Sequence, residues 1–110
     1  MAGVDRRSLQ AYLDRPLDDL MAELELYDPT SRGPADVWNK VAGPLRQRLC
    51  VEWDYCRVRQ DARWDDQLTL ALTVAAMLLS PTFRLPIEID QLLIAAIVVK
   101  LGLDAFCACP

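Results

Sequence analysis

Between Gln67 and Leu79 the chain reads QLTLALTVAAMLL, thirteen residues without a charge. From Ile87 to Ala105 it reads IEIDQLLIAAIVVKLGLDA, with Lys100 the only charge between Asp90 and Asp104. These two stretches decide the fold. The first is shorter than the roughly twenty residues that cross a bilayer, so it predicts a buried core helix. Ser80-Pro81 ends it, and Asp65-Asp66 stands before it where acceptors cap free amides. The second stretch predicts a helix over 87–105, opened by Pro86 and with Glu88 in its first turn. Ile87, Ile94, Val98 and Leu101 fall on one side; Leu92, Ala96, Val99 and Leu103 fall on the other. A helix apolar all round belongs inside a bundle, in a membrane or in an intermolecular contact. Its length, about 28 Å as a helix, reaches across hydrocarbon. Asp90 and Lys100 make that costly, so integral membrane insertion is disfavoured.

Working outward, residues 44–63 predict a long helix that begins after Gly43 with Pro44 in its first turn. Leu45, Leu49, Trp53, Cys56 and Gln60 recur at helical steps. This segment carries five Arg against three acids, while the segments on either side are each net acidic. Near the start of the chain, Asp5 is placed to cap a turn over 6–13. A second helix over 16–27 presents Leu17, Leu20, Met21 and Leu24 at the i, i+3, i+4, i+7 spacing of one face. A short helix over 34–42 follows the loop that begins at Pro29. Clean alternation of strand type is almost absent, and no Asn-Gly or Asp-Gly hairpin turn occurs. The predicted fold is all-α: a compact bundle of about five helices, with 67–79 and 87–105 central and 16–27 and 44–63 wrapped around them.

Length and composition fit that fold. With 110 residues, the chain supports one domain, 1–110, with an ordered core over about 5–105. Hydrophobic residues make up 53%, enough apolar area to offset ordering entropy. The formal net charge of −4 disfavours a general nucleic-acid surface. Histidine is absent, which removes the usual general base near neutral pH, every His-dependent triad and imidazole metal ligation. The polar start Met1-Ala2-Gly3-Val4-Asp5-Arg6-Arg7 does not read as a secretory signal.

Four cysteines without an export signal read as reduced thiols, which implies a cytoplasmic location. Cys50 and Cys56 are six apart and point about 120° from each other on a helix, a poor chelating pair. Cys56 lies on the apolar stripe and is expected to be buried, reduced and unligated. Cys107 and Cys109 are expected in a loosely held tail. No metal and no cofactor are expected. The paired acids Asp18-Asp19 and Asp65-Asp66 fall at helix starts, where the dipole explains them. Asp90 lies on an apolar face, so it needs either a capping contact or an arginine partner.

Catalytic residues are not legible, and the chain is not expected to be an enzyme. The surplus of apolar helix surface points to a protein-interaction or adaptor domain, binding another protein or itself as a homo-oligomer. The candidate surface is Arg48, Tyr55, Arg59 and Arg63 on 44–63, with Leu92, Val99 and Leu103 on 87–105. The alternative is a nucleic-acid-associated regulator that uses the Arg-rich helix 44–63, where arginine meets phosphate and aromatics stack on bases.

Overall fold

The aspartate side chains of Asp5, Asp66 and Asp90 cap three of the α-helix starts. The computed structural model describes residues 4–110. Asp5 accepts from the amides of Arg7 and Ser8 at the start of α1 (Arg6–Leu13). Pro16 leads into α2 (Leu17–Glu25), with Asp18 and Asp19 in its first turn. Pro34 sits at the start of α3 (Pro34–Arg46). Two short pieces come next, α4 (Tyr55–Val58) and a 3₁₀ turn at Ala62–Asp65. Asp66 accepts from the Thr69 amide and hydroxyl at the head of α5 (Gln67–Leu78). Asp90 accepts from the Leu92 amide at the head of α6 (Gln91–Leu101), and α7 (Leu103–Phe106) closes the order. The all-α class holds: no strand occurs among the described residues.

Helix α6 is the axis of the molecule. Leu93 and every residue from Ile94 to Val98 are fully enclosed. Its neighbours are α5, α1, α2 and α7. They bring Ala71, Val74, Ala75 and Leu78, then Leu9 and Leu13, then Leu20 and Leu24. The α3 residues Val37, Val41 and Leu45 extend the same core beside α2. Lys100 reaches from the end of α6 to donate to the Leu13 carbonyl at 2.8 Å, satisfying an acceptor that α1 leaves open at its end. The radius of gyration, 13.3 Å, is close to the roughly 13 Å of a compact chain of this length.

Three predicted elements change. Gly43-Pro44 does not interrupt the chain's helix: α3 runs through it to Arg46 and widens into π-type turns at Gln47–Glu52. Pro44 has no N–H to give the Lys40 carbonyl, and the ladder continues around that missing bond. The helix predicted over 44–63 is broken at Asp54, which sits in the left-handed region at φ 58°. The wrapping of α6 therefore falls to α1, α2 and α5 rather than to 44–63. The helix predicted over 87–105 begins four residues later, at Gln91, and ends at Gly102 with φ 97°. Asp90 is a better cap than anything at 86–87, and Gly102 accepts a conformation that L side chains resist.

The cysteines are the largest correction. Cys50 is bonded to Cys107 and Cys56 to Cys109, and no free cysteine remains. Cys56 is therefore neither reduced nor fully buried, and 107–109 is anchored rather than loose. Spacing along a helix did not apply, because 50 and 56 lie on either side of the break at Asp54. Their partners come from 57 and 53 residues away, a proximity that only the packing of α7 creates. The thiol argument for a cytoplasmic location falls with them.

Candidate functional site

A concavity lies where α2 ends and the link from α5 to α6 passes over it. It is an open cleft of about 780 Å³ lined by Tyr27, Phe83, Leu85, Ile87 and Ile89, with Arg84, Glu88, Asp90 and Gln91 completing it. Local sequence explains its wall. Pro81 and Pro86 exclude helix from the link, so residues 83–90 run as irregular chain with a bend at Pro86-Ile87. Along it the burial alternates. Leu85 and Ile87 are half-buried and Ile89 is buried, while Arg84, Pro86 and Glu88 are exposed. Among the described residues, no backbone–backbone hydrogen bond involves the N–H or C=O groups of 84–89. The opposite rim carries Tyr27 and, beyond it, Leu26, which is 79% exposed.

Asp90 anchors one end of the cleft. Its Oδ1 accepts from the Leu92 amide at 2.9 Å and its Oδ2 from the Tyr12 hydroxyl at 2.8 Å. Beside it, Arg15 donates to Glu23 at 2.7 Å, with its guanidinium 5.9 Å from the Tyr12 ring centre. Partial burial holds the Tyr12 phenol well above the usual tyrosine range, and the Asp90 carboxylate that accepts its proton adds to this. Burial also raises Tyr27, with the negative charges of Asp90 and Glu23 adding to it. Both oxygens of Asp90 are engaged, so the carboxylate is a structural clamp rather than a free base. A smaller hollow on its far side is lined by Ser8, Ala11, Tyr12, Arg15 and Leu92.

The residues expected to form a binding surface do not come together. Tyr55, Val99 and Leu103 are buried, at 7%, 8% and 2% exposure, and present no surface. Burial, followed by the Asp104 carboxylate, pushes the Tyr55 phenol up to about 12. The break at Asp54 scatters the arginines over separate elements, where four of the five meet an acid and Arg46 lies over the Phe106 ring. Arg48 pairs with Glu52, Arg57 with Asp54, Arg59 with Asp104 and Arg63 with Asp61. No continuous basic face results. Leu92 alone of the predicted set borders a hollow, the smaller one. The expected surplus of apolar surface on the last helix is also absent, because α6 is enclosed; the large apolar residues left exposed are Leu26, Tyr27, Val51, Leu79 and Leu101.

Sequence reasoning missed Tyr27, Phe83, Leu85, Ile87 and Ile89. A signal is present in the period-two pattern from Arg84 to Ile89, but Pro86 within it also fits a helix start and masks it. Among the described residues no three His, Cys, Asp or Glu side chains group as metal ligands, and no helix is long and apolar enough to cross a membrane. The fold and site define an all-α protein with two internal disulfides and an open, mixed apolar and charged cleft. Comparison with protein families, curated proteins and solved structures finds no match for this chain.

Proposed function

We propose that this chain is a protein-interaction domain, acting by binding rather than catalysis, and that it takes an extended segment of another protein in the cleft beside 84–89. One observation carries this reading: the backbone groups of 84–89 have no backbone partners, and they lie beside a cleft whose apolar side chains alternate along the chain. An unpaired main chain of this kind pairs readily with a second extended chain. Main-chain hydrogen bonds then supply affinity, and the hollows around Leu85 and Ile87 supply side-chain selectivity. Tyr27 offers an aromatic face with a polar tip, the side-chain type enriched where proteins meet.

The test is selection of displayed linear peptides against the intact oxidised protein, followed by hydrogen exchange on the complex. Selected peptides are expected to slow exchange at 84–89, and Tyr27→Ala is expected to weaken them. N-methylation along a selected peptide should reduce affinity by about fivefold or more at alternate positions, since each lost hydrogen bond counts for about 1 kcal/mol or more. Failure to select any peptide, or protection that maps elsewhere, would refute the reading. So would protection of 84–89 by a second copy of this chain alone.

A further inference from the structure

We propose that residues 103–110 form a redox latch, closed by the two disulfides and opened by a dithiol reductant without loss of the helical core. The first argument is topological. Both bridges join the same two pieces of chain: Cys50 and Cys56 on one side, Cys107 and Cys109 on the other. Neither crosses the core built by α1, α2, α3, α5 and α6; Cys50, Cys107 and Cys109 pack against it as partly buried side chains and are not among its enclosed residues. The second argument is access. All four cysteines are partly exposed, which puts both bridges near the surface where a thiolate from solution would attack. The third is that 103–110 has few other holds. Leu103 is its only buried residue. Phe106 lies against Trp38, with the Arg46 guanidinium 4.8 Å from its ring centre. Arg59 pairs with Asp104 and donates to the Pro110 carbonyl. Gly102, at φ 97°, marks the point where the segment leaves α6 and can turn away from it.

The chemistry balances with a dithiol as co-reactant. Its thiolate attacks one sulfur of a bridge, forming a mixed disulfide and expelling the partner cysteine as thiolate. The reductant's second thiol then displaces the other cysteine and leaves as its own disulfide. Each bridge gains two electrons and two protons, and the reductant loses them. The two bridges are neighbours: the Cys56 sulfur lies 3.9 Å from the Cys107 carbonyl oxygen. Opening both frees 103–110 and uncovers the face of Trp38 against which Phe106 lies.

The experiment treats the folded, full chain with dithiothreitol in native buffer, then traps thiols with iodoacetamide and follows hydrogen exchange by mass. Four alkylations are expected without denaturant. Amides of 103–110 should lose protection at least tenfold, while those of α5 and α6 keep theirs. The double variant Cys107→Ser with Cys109→Ser should show the same pattern without reductant, at a lower melting temperature but with an intact cooperative transition. Bridges that yield only in denaturant would overturn the proposal. Reduction that unprotects α5 and α6 would do the same, as it would make the bridges staples of the whole fold. A reduced chain with 103–110 still protected, or a double variant that does not fold, also counts against it.

Discussion

Asp90 carries two contacts on one carboxylate: it caps α6 through the Leu92 amide and accepts from the Tyr12 hydroxyl of α1. A lost cap typically costs about 1 kcal/mol, and a lost hydrogen bond to a charged group about as much again or more. Asp90→Ala is therefore expected to lower stability by about 2 kcal/mol in a urea melt. Asn also caps helices well, so Asp90→Asn should cost about half as much. Equal losses for the two variants would show that the capping amide contributes nothing. The need of Asp90 for a partner was legible in the sequence, because an acid on an apolar face must be satisfied. Tyr12 as that partner was not legible, since 78 residues separate the two.

At the scale of elements, α6 and α5 behaved as their composition requires. An uncharged segment cannot be stable at a surface, so both ended among other helices. Ile97 is fully enclosed at the middle of α6, whereas Leu101 near its end is 41% exposed. Ile97→Ala should cost about 2–5 kcal/mol, by lost transfer energy and the cavity left behind. Leu101→Ala should cost under about 1 kcal/mol, and urea melts of the two variants compare them directly. Similar losses would mean that α6 is not the axis of the core. The segment 44–63 went the other way. Its helical spacing was real as far as Leu49, but the π-type turns at Gln47–Glu52 and the left-handed Asp54 rotate everything after them out of register. A one-residue widening shifts each later side chain by about 100°, so Trp53, Cys56 and Gln60 no longer share a face with Leu45.

For the whole molecule the bridges tie the middle of the chain, at 50–56, to residues 107–109. Each alone closes a loop of more than fifty residues, by the separations of 57 and 53. Their effects on the unfolded chain do not add. With one bridge in place, the second closes only a small ring of roughly ten residues, which in the chain-entropy account is worth about 2–3 kcal/mol. Cys50→Ser with Cys107→Ser, and Cys56→Ser with Cys109→Ser, should therefore each lower stability by about that amount. Denaturant melts under non-reducing conditions test this. A loss near zero for either pair would mean that the bridge stores native-state strain equal to its entropic gain.

What the sequence by itself determined is what local chemistry decides. Asp5, Asp66 and Asp90 had to cap because free amides need acceptors, and Gln67–Leu78 had to turn Leu70, Ala71, Val74, Ala75 and Leu78 inward because it carries no charge and little polar surface. The all-α class followed from those facts and the scarcity of alternation. The tertiary structure alone decided the rest. It brought Cys50 to Cys107 and Cys56 to Cys109, hid Tyr55, Val99 and Leu103, and laid 84–89 beside Tyr27 to make a cleft. The physical reason is the same in each case. Capping and periodicity act over one or two turns of chain, whereas a disulfide, a buried face or a cleft depends on which distant segments pack together, and that is settled only when the whole core closes.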